Sequence, residues 1–68
     1  MKLNSGNRHD VKIGDVLAFS YGDTYIITAV LKTGRSVSYS LQDVKTKQNI
    51  YCLPSSHCYG AEIIKQEV

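Results

Sequence analysis

Thr24-Tyr25-Ile26-Ile27-Thr28-Ala29-Val30-Leu31-Lys32, then Thr33-Gly34, then Arg35-Ser36-Val37-Ser38-Tyr39-Ser40-Leu41-Gln42-Asp43: the reading of this stretch decides the fold class. The first run is rich in β-branched and aromatic residues and apolar on both faces, as suits a central strand covered from two sides. The second run alternates. Val37, Tyr39 and Leu41 fall on one face and Ser36, Ser38, Ser40 and Gln42 on the other, the period of a half-buried strand. The serine-lined face must look at water or at a polar partner. Thr33-Gly34 between the runs closes a hairpin. Two registers fit: a two-residue loop pairs the apolar face with Ile26, Thr28 and Val30, whereas a three-residue loop pairs it with Tyr25, Ile27, Ala29 and Leu31. Turn chemistry favours the second, because Thr is a poor residue for the positive φ that a Thr-Gly loop demands.

Upstream, Ile13-Gly14-Asp15-Val16 punctuates a polar start, and Val16 to Tyr21 reads as a strand with Leu17, Phe19 and Tyr21 on one side. Gly22-Asp23 is a turn signal. Downstream, Lys45-Thr46-Lys47 turns the chain into a strand over Gln48 to Leu53, Pro54-Ser55-Ser56 breaks it with a short 3₁₀ turn, and Ala61 to Lys65 makes a last strand. The tail Gln66-Glu67-Val68 is expected to fray. Residues 1–10 lack any sustained period and are rich in turn formers, so they are expected to be a flexible arm before a single domain over residues 11–68.

With 68 residues there is room for one domain, and a chain of this size buries only about 60% of the surface that its unfolded form exposes. Eight basic and six acidic residues give a formal charge of +2, too balanced to identify a nucleic-acid binder by charge alone. Position says more. Lys32 and Arg35 flank one turn and Lys45 and Lys47 sit in another. Two cysteines, Cys52 and Cys58, are not the multi-cysteine framework of a secreted mini-protein, so reduced thiols and a cytoplasmic location are expected. No apolar segment approaches the length of a membrane span or a signal sequence, and no membrane association is expected.

Five short strands, a longer early loop, tight central hairpins and a one-turn break before the last strand resemble the order of elements in SH3-like small barrels. Ile13-Gly14-Asp15-Val16-Leu17-Ala18, Tyr25 to Leu31, Val37 to Asp43 and Ile50 to Leu53 carry the resemblance, which covers about residues 12 to 65 and looks like the Tudor and KOW-type branch. The fold it implies is an all-β, five-stranded antiparallel SH3-like barrel with a short 3₁₀ turn before the last strand. Domains of that kind bind peptides, modified side chains or nucleic acid and rarely catalyse reactions; the fold alone does not choose among these.

Three constellations are chemically informative. Phe19, Tyr21, Tyr25, Tyr39 and Tyr51 are candidate protein- or peptide-binding residues; Tudor-type domains use open cages of aromatic rings for methylated cations, but tyrosines at alternating strand positions also serve as core. Cys52, His57 and Cys58 place two thiols and an imidazole in one segment, yet a zinc knuckle spaces two cysteines by two to four residues, twice over. No metal and no cofactor are expected, with Cys52 read as a small core residue and Cys58 as a loop residue. His57 beside Cys58 is not a dyad without contact and a third, orienting group, so no enzyme is expected. The balance favours a non-catalytic module that binds a protein surface or peptide through exposed tyrosines and strand edges. An accessory or inhibitor protein resembling bacteriophage products fits the same reading, as does a homodimer through open strand edges. The alternative is a nucleic-acid-binding barrel using Lys32, Arg35, Lys45 and Lys47.

Overall fold

The computed structural model describes residues 1–65 and arranges five antiparallel strands in one sheet: β1 (Val16–Ala18), β2 (Thr24–Thr33), β3 (Ser36–Asp43), β4 (Asn49–Pro54) and β5 (Glu62–Ile64). A lone 3₁₀ turn, Ser55–Cys58, joins β4 to β5, where Pro54 ends the ladder and presets the turn. The strand order is β4-β3-β2-β1-β5, with β4 and β5 at the two ends and unpaired with each other. The expected all-β antiparallel class is therefore present, while the ladder does not close into a barrel. Among the described residues there is no α-helix, and no helix long and apolar enough to cross a membrane. The tail Gln66-Glu67-Val68 lies outside the described residues.

The strand over Val16 to Tyr21 is cut short at Ala18. Phe19 N–H donates to the Asp23 carbonyl at 2.9 Å and Gly22 N–H to the Phe19 carbonyl at 3.0 Å, so residues 19–23 form a tight loop instead. The Ile13-Gly14-Asp15-Val16 punctuation has a defined structure: Gly14 N–H donates to the Ile27 carbonyl at 2.9 Å and Ile27 N–H to the Asp15 carbonyl at 2.8 Å, which clamps the entry to β1 against β2. Buried Asp15 accepts from Lys12 N–H at 2.9 Å and pairs with Lys65 Nζ at 2.8 Å.

The central hairpin combines the two expected registers. Thr33 pairs with Ser36, so the loop is Gly34-Arg35, one residue later than Thr33-Gly34. Gly34 has φ of 58° while Arg35 is not in the positive-φ region, the sign pattern of a type II′ turn with glycine at its first position. Thr thereby escapes the strain that argued against a two-residue loop. Near the turn Tyr39 faces Val30, but between Ile27 and Ala29 the register shifts, and beyond it Leu41 faces Ile27 and Asp43 faces Tyr25. Thr28 is the extra residue of a β-bulge, which carries the strand from one register to the other and bends it. A second shift separates Tyr39/Leu53 from Leu41/Ile50, and there Cys52 takes φ of 55°.

The core gathers Leu17, Ile27, Val37, Tyr39, Leu41 and Ile63 from the strands, closed over by Leu3, Val11, Cys58 and Ala61. Two expectations are corrected here. Segment 1–10 is not set apart as an arm but anchored through its first three residues: Leu3 is 1% exposed, Lys2 bridges Glu62, and Leu3 N–H donates to the Ala61 carbonyl while Ile63 N–H donates to the Met1 carbonyl, both at 2.8 Å. The roles of the cysteines are exchanged, with Cys58 fully buried and Cys52 exposed, because the β4 bulge breaks the alternation that would have turned Cys52 inward.

Candidate functional site

Side chains of functional interest collect at the two ends of β3, roughly 23 Å apart at the usual strand rise. At the Asp43 end, the 19–23 loop brings Phe19 against Tyr21, with ring centroids 5.4 Å apart and tilted by 31°, and against Tyr25, 5.6 Å apart and edge-on at 88°. Both separations lie in the range of favourable aromatic pairs. Phe19 and Tyr25 are half-buried against the core, whereas Tyr21 is 68% exposed. Burial raises the Tyr25 pKa above its usual value, and the carboxylates of Asp23 and Asp43 add to the rise, together with Tyr21. The Asp43 carboxylate also caps its own turn, accepting from Lys45 N–H at 2.7 Å and Thr46 N–H at 3.1 Å.

The five aromatic candidates do not form one surface. Phe19, Tyr21 and Tyr25 cluster. Tyr51 stands on β4, one of the two end strands, 72% exposed. Tyr39 is fully buried and contributes no surface; its hydroxyl donates to the Arg8 carbonyl at 2.6 Å, and burial, with Cys58 and Tyr59 adding and Arg8 opposing, pushes its pKa up to about 12.

The basic candidates are divided in the same way. Lys32 and Arg35 lie at the β2–β3 turn, where Lys32 Nζ donates to the His9 carbonyl at 3.2 Å, while Lys45 and Lys47 lie in the β3–β4 turn at the far end. The structure thus presents no single patch of these four. At the Arg35 end there is instead an open groove of about 490 Å³ lined by Arg8 and Arg35, by five serines and by Val37, Pro54 and Tyr59. Two asparagines fold the segment that brings Arg8 there: Asn4 Oδ1 accepts from Gly6 N–H at 2.8 Å and Asn7 N–H at 3.1 Å, and Asn7 Oδ1 from Asn4 N–H at 2.8 Å. Such local side-chain bonds are the turn chemistry of Asn. Leu3, directly ahead of that asparagine turn, is the sequence signal for a packed wall.

Cys52, His57 and Cys58 do not converge. His57 and Cys52 are exposed and Cys58 is buried in the 3₁₀ turn, where burial pushes its thiol up to about 11. A thiol held neutral is a poor nucleophile and a poor metal ligand. Among the described residues no three His, Cys, Asp or Glu side chains gather as a metal site would require. Strand edges are also constrained: residues 1–3 cover the outer side of β5, which leaves β4, with its bulge and Pro54, as the exposed edge. Comparison with protein-family models, curated proteins and solved structures finds no match.

Proposed function

We propose that this chain is a non-catalytic interaction module that binds a protein surface or peptide through the Phe19-Tyr21-Tyr25 cluster. The carrying observation is the exposure of Tyr21 on a half-buried aromatic base, since an aromatic anchor supported by neighbouring rings loses little entropy when a partner covers it. Asp23 and Asp43 beside Tyr25 favour a partner segment with a basic side chain, which would meet both the carboxylates and the ring faces. Strand order and the 3₁₀ turn before β5 support an SH3-like small barrel of the Tudor or KOW type as the fold behind this role. A free-standing accessory or inhibitor protein would use the same surface, and β4 is the edge available for strand addition or a second copy.

The test is affinity capture from cell extract by the wild type and by Tyr21→Ala, with and without nuclease. A protein captured by the wild type in nuclease-treated extract, weakly salt-dependent and bound about 30-fold less tightly by a folded Tyr21→Ala, is the expected result. Capture that vanishes with nuclease, or that falls with salt at a log–log slope near −0.7 per phosphate neutralised, would overturn it in favour of the nucleic-acid alternative on Lys32, Arg35, Lys45 and Lys47. The separation of these residues into two pairs at opposite ends of β3 weighs against that alternative.

A further inference from the structure

We propose that the groove at the Arg35 end is a second binding site, for a compact phosphate-bearing ligand of about mononucleotide size. It is built from three remote segments: Ser5 and Arg8 from the N-terminal turn, Arg35 to Ser38 from the hairpin and β3, and Pro54 to Tyr59 around the 3₁₀ turn. Among the described residues, no acidic side chain lines the groove beside its two guanidinium groups. The ion pairs of the described residues, Met1 with Glu62 and Lys65 with Asp15, involve neither of them. Arg8 is half-buried and fixed, donating from Nη1 to the Ser5 carbonyl and from Nη2 to the Arg35 carbonyl at 3.3 Å. Two of its five N–H groups are thereby engaged and three remain.

The held guanidinium of Arg8, with the exposed one of Arg35 beside it, matches the oxygens of a phosphate through charged, forked hydrogen bonds. Ser5, Ser36, Ser38, Ser55 and Ser56 also line the groove, and serine hydroxyls there can donate to the three terminal oxygens of a phosphomonoester. Ser36 and Ser38 belong to the polar face of β3, so this face meets a polar partner where the groove covers it. Tyr59 and Pro54 supply an apolar flank for the organic body of the ligand, and the volume of about 490 Å³ falls within the range of small-molecule sites. An extended nucleic-acid strand is disfavoured because Lys45 and Lys47 lie at the other end of β3, a full strand length from the groove.

The experiment is an amide-resolved NMR titration of the whole chain with inorganic phosphate, adenosine monophosphate, adenosine and a single-stranded dodecanucleotide, at matched ionic strength. Inorganic phosphate and the monophosphate are expected to shift Arg8, Arg35, Ser36, Ser38, Ser56 and Tyr59, the monophosphate more tightly, and adenosine to shift none of them. Arg35→Gln, an exposed turn position, should weaken the monophosphate tenfold or more with the thermal midpoint unchanged, and Lys45→Gln should leave its affinity as in the wild type. Equal shifts with adenosine and the monophosphate would overturn the proposal. So would no shift up to about 10 mM, beyond a millimolar Kd, saturation by the dodecanucleotide alone, or undiminished affinity in Arg35→Gln.

Discussion

At one end of β3, Asp43 pairs with Tyr25 beside Phe19 and Tyr21; at the other, Ser36 pairs with Thr33 beside Arg8 and Arg35. The strand contributes the same thing to both, an inward row of Val37, Tyr39 and Leu41. The difference lies in how the ends are assembled. The aromatic end comes mainly from residues 19–25, a loop tied by its own hydrogen bonds between Phe19, Gly22 and Asp23. The arginine end needs three segments far apart in sequence, held by the packing of Leu3 and Cys58 and by the Tyr39–Arg8 bond. Local construction should survive damage that non-local construction does not, because the entropy of bringing remote segments together must be offset by those few contacts.

The sharpest way to break this contrast is Leu3→Ala. Emptying a fully buried leucine position should cost about 2–5 kcal/mol by urea unfolding, a large part of the stability of so small a domain. Amide exchange in the variant should accelerate first at Arg8, Ser38 and Ser56, while Tyr25 and Ile27 keep their protection relative to the global unfolding rate. A cost under about 0.5 kcal/mol, as for an exposed site, would show that the N-terminal segment is a loose arm after all.

Alkaline pH should produce the next largest effect. Tyr39 and Cys58, ordinarily at 10.0 and 9.0, are raised by burial to about 12 and about 11. Both are neutral acids when folded, so from about pH 9 upward the unfolded chain holds fewer protons than the folded one, and stability falls with rising pH. Their contribution is complete below pH 9 and lost as the pH passes about 11 and then about 12, on the order of 2 kcal/mol for each group. Chemical denaturation at pH 8 and pH 11 reads this, and Cys58→Ala should remove the part that begins near pH 9. At neutral pH the same burial predicts thiol alkylation at Cys52 at least about a hundredfold faster than at Cys58, since Cys58 reacts only through opening.

Much of the strand pattern was legible in the sequence, because alternation between Val37, Tyr39, Leu41 and the intervening serines has one physical reading. Bulges were not. Thr28 is an ordinary β-former whose extra place in β2 depends on a change of pairing, and Cys52 between Tyr51 and Leu53 reads as an inward residue until the bulge turns it out. Tyr39 shows the limit for side chains: alternation puts it in the core or on a face according to which side is covered, and its partner, the Arg8 carbonyl, belongs to a segment with no periodic signal. The aromatic cluster was accessible as Tyr21 and Tyr25 flank a visible turn, whereas the groove was not, since nothing local links Arg8 to Ser56.

Gly34→Ala sharpens the comparison at the hairpin that carries Arg35. A Cβ there would meet nothing within 4 Å, so the whole penalty is conformational, from holding an L-residue at φ of 58°. The expected cost is about 1–2 kcal/mol, seen as a lower thermal midpoint. Tyr21→Ala at the other end, an exposed ring, should stay within about 0.5 kcal/mol. Equal costs would mean that the II′ turn is not held.

The smallest expected effect concerns Cys52, which sits across from Ser40 between the two ends of β3 and donates its N–H to Ser40 Oγ at 3.4 Å. At φ of 55° an L-residue pays for a left-handed conformation in which glycine is at ease, but glycine also loses more entropy on folding. The two terms nearly cancel, so Cys52→Gly should be neutral or stabilising by up to about 1 kcal/mol. Cys52→Val separates this from ordinary strand behaviour: in a regular strand valine is favoured over glycine, while at a left-handed bulge its branched side chain is the worse choice. Urea midpoints should therefore rank glycine above valine at position 52, against β-propensity. The opposite order would mean that β4 pairs with β3 without the bulge, and Cys52 would then turn toward the core beside Tyr39.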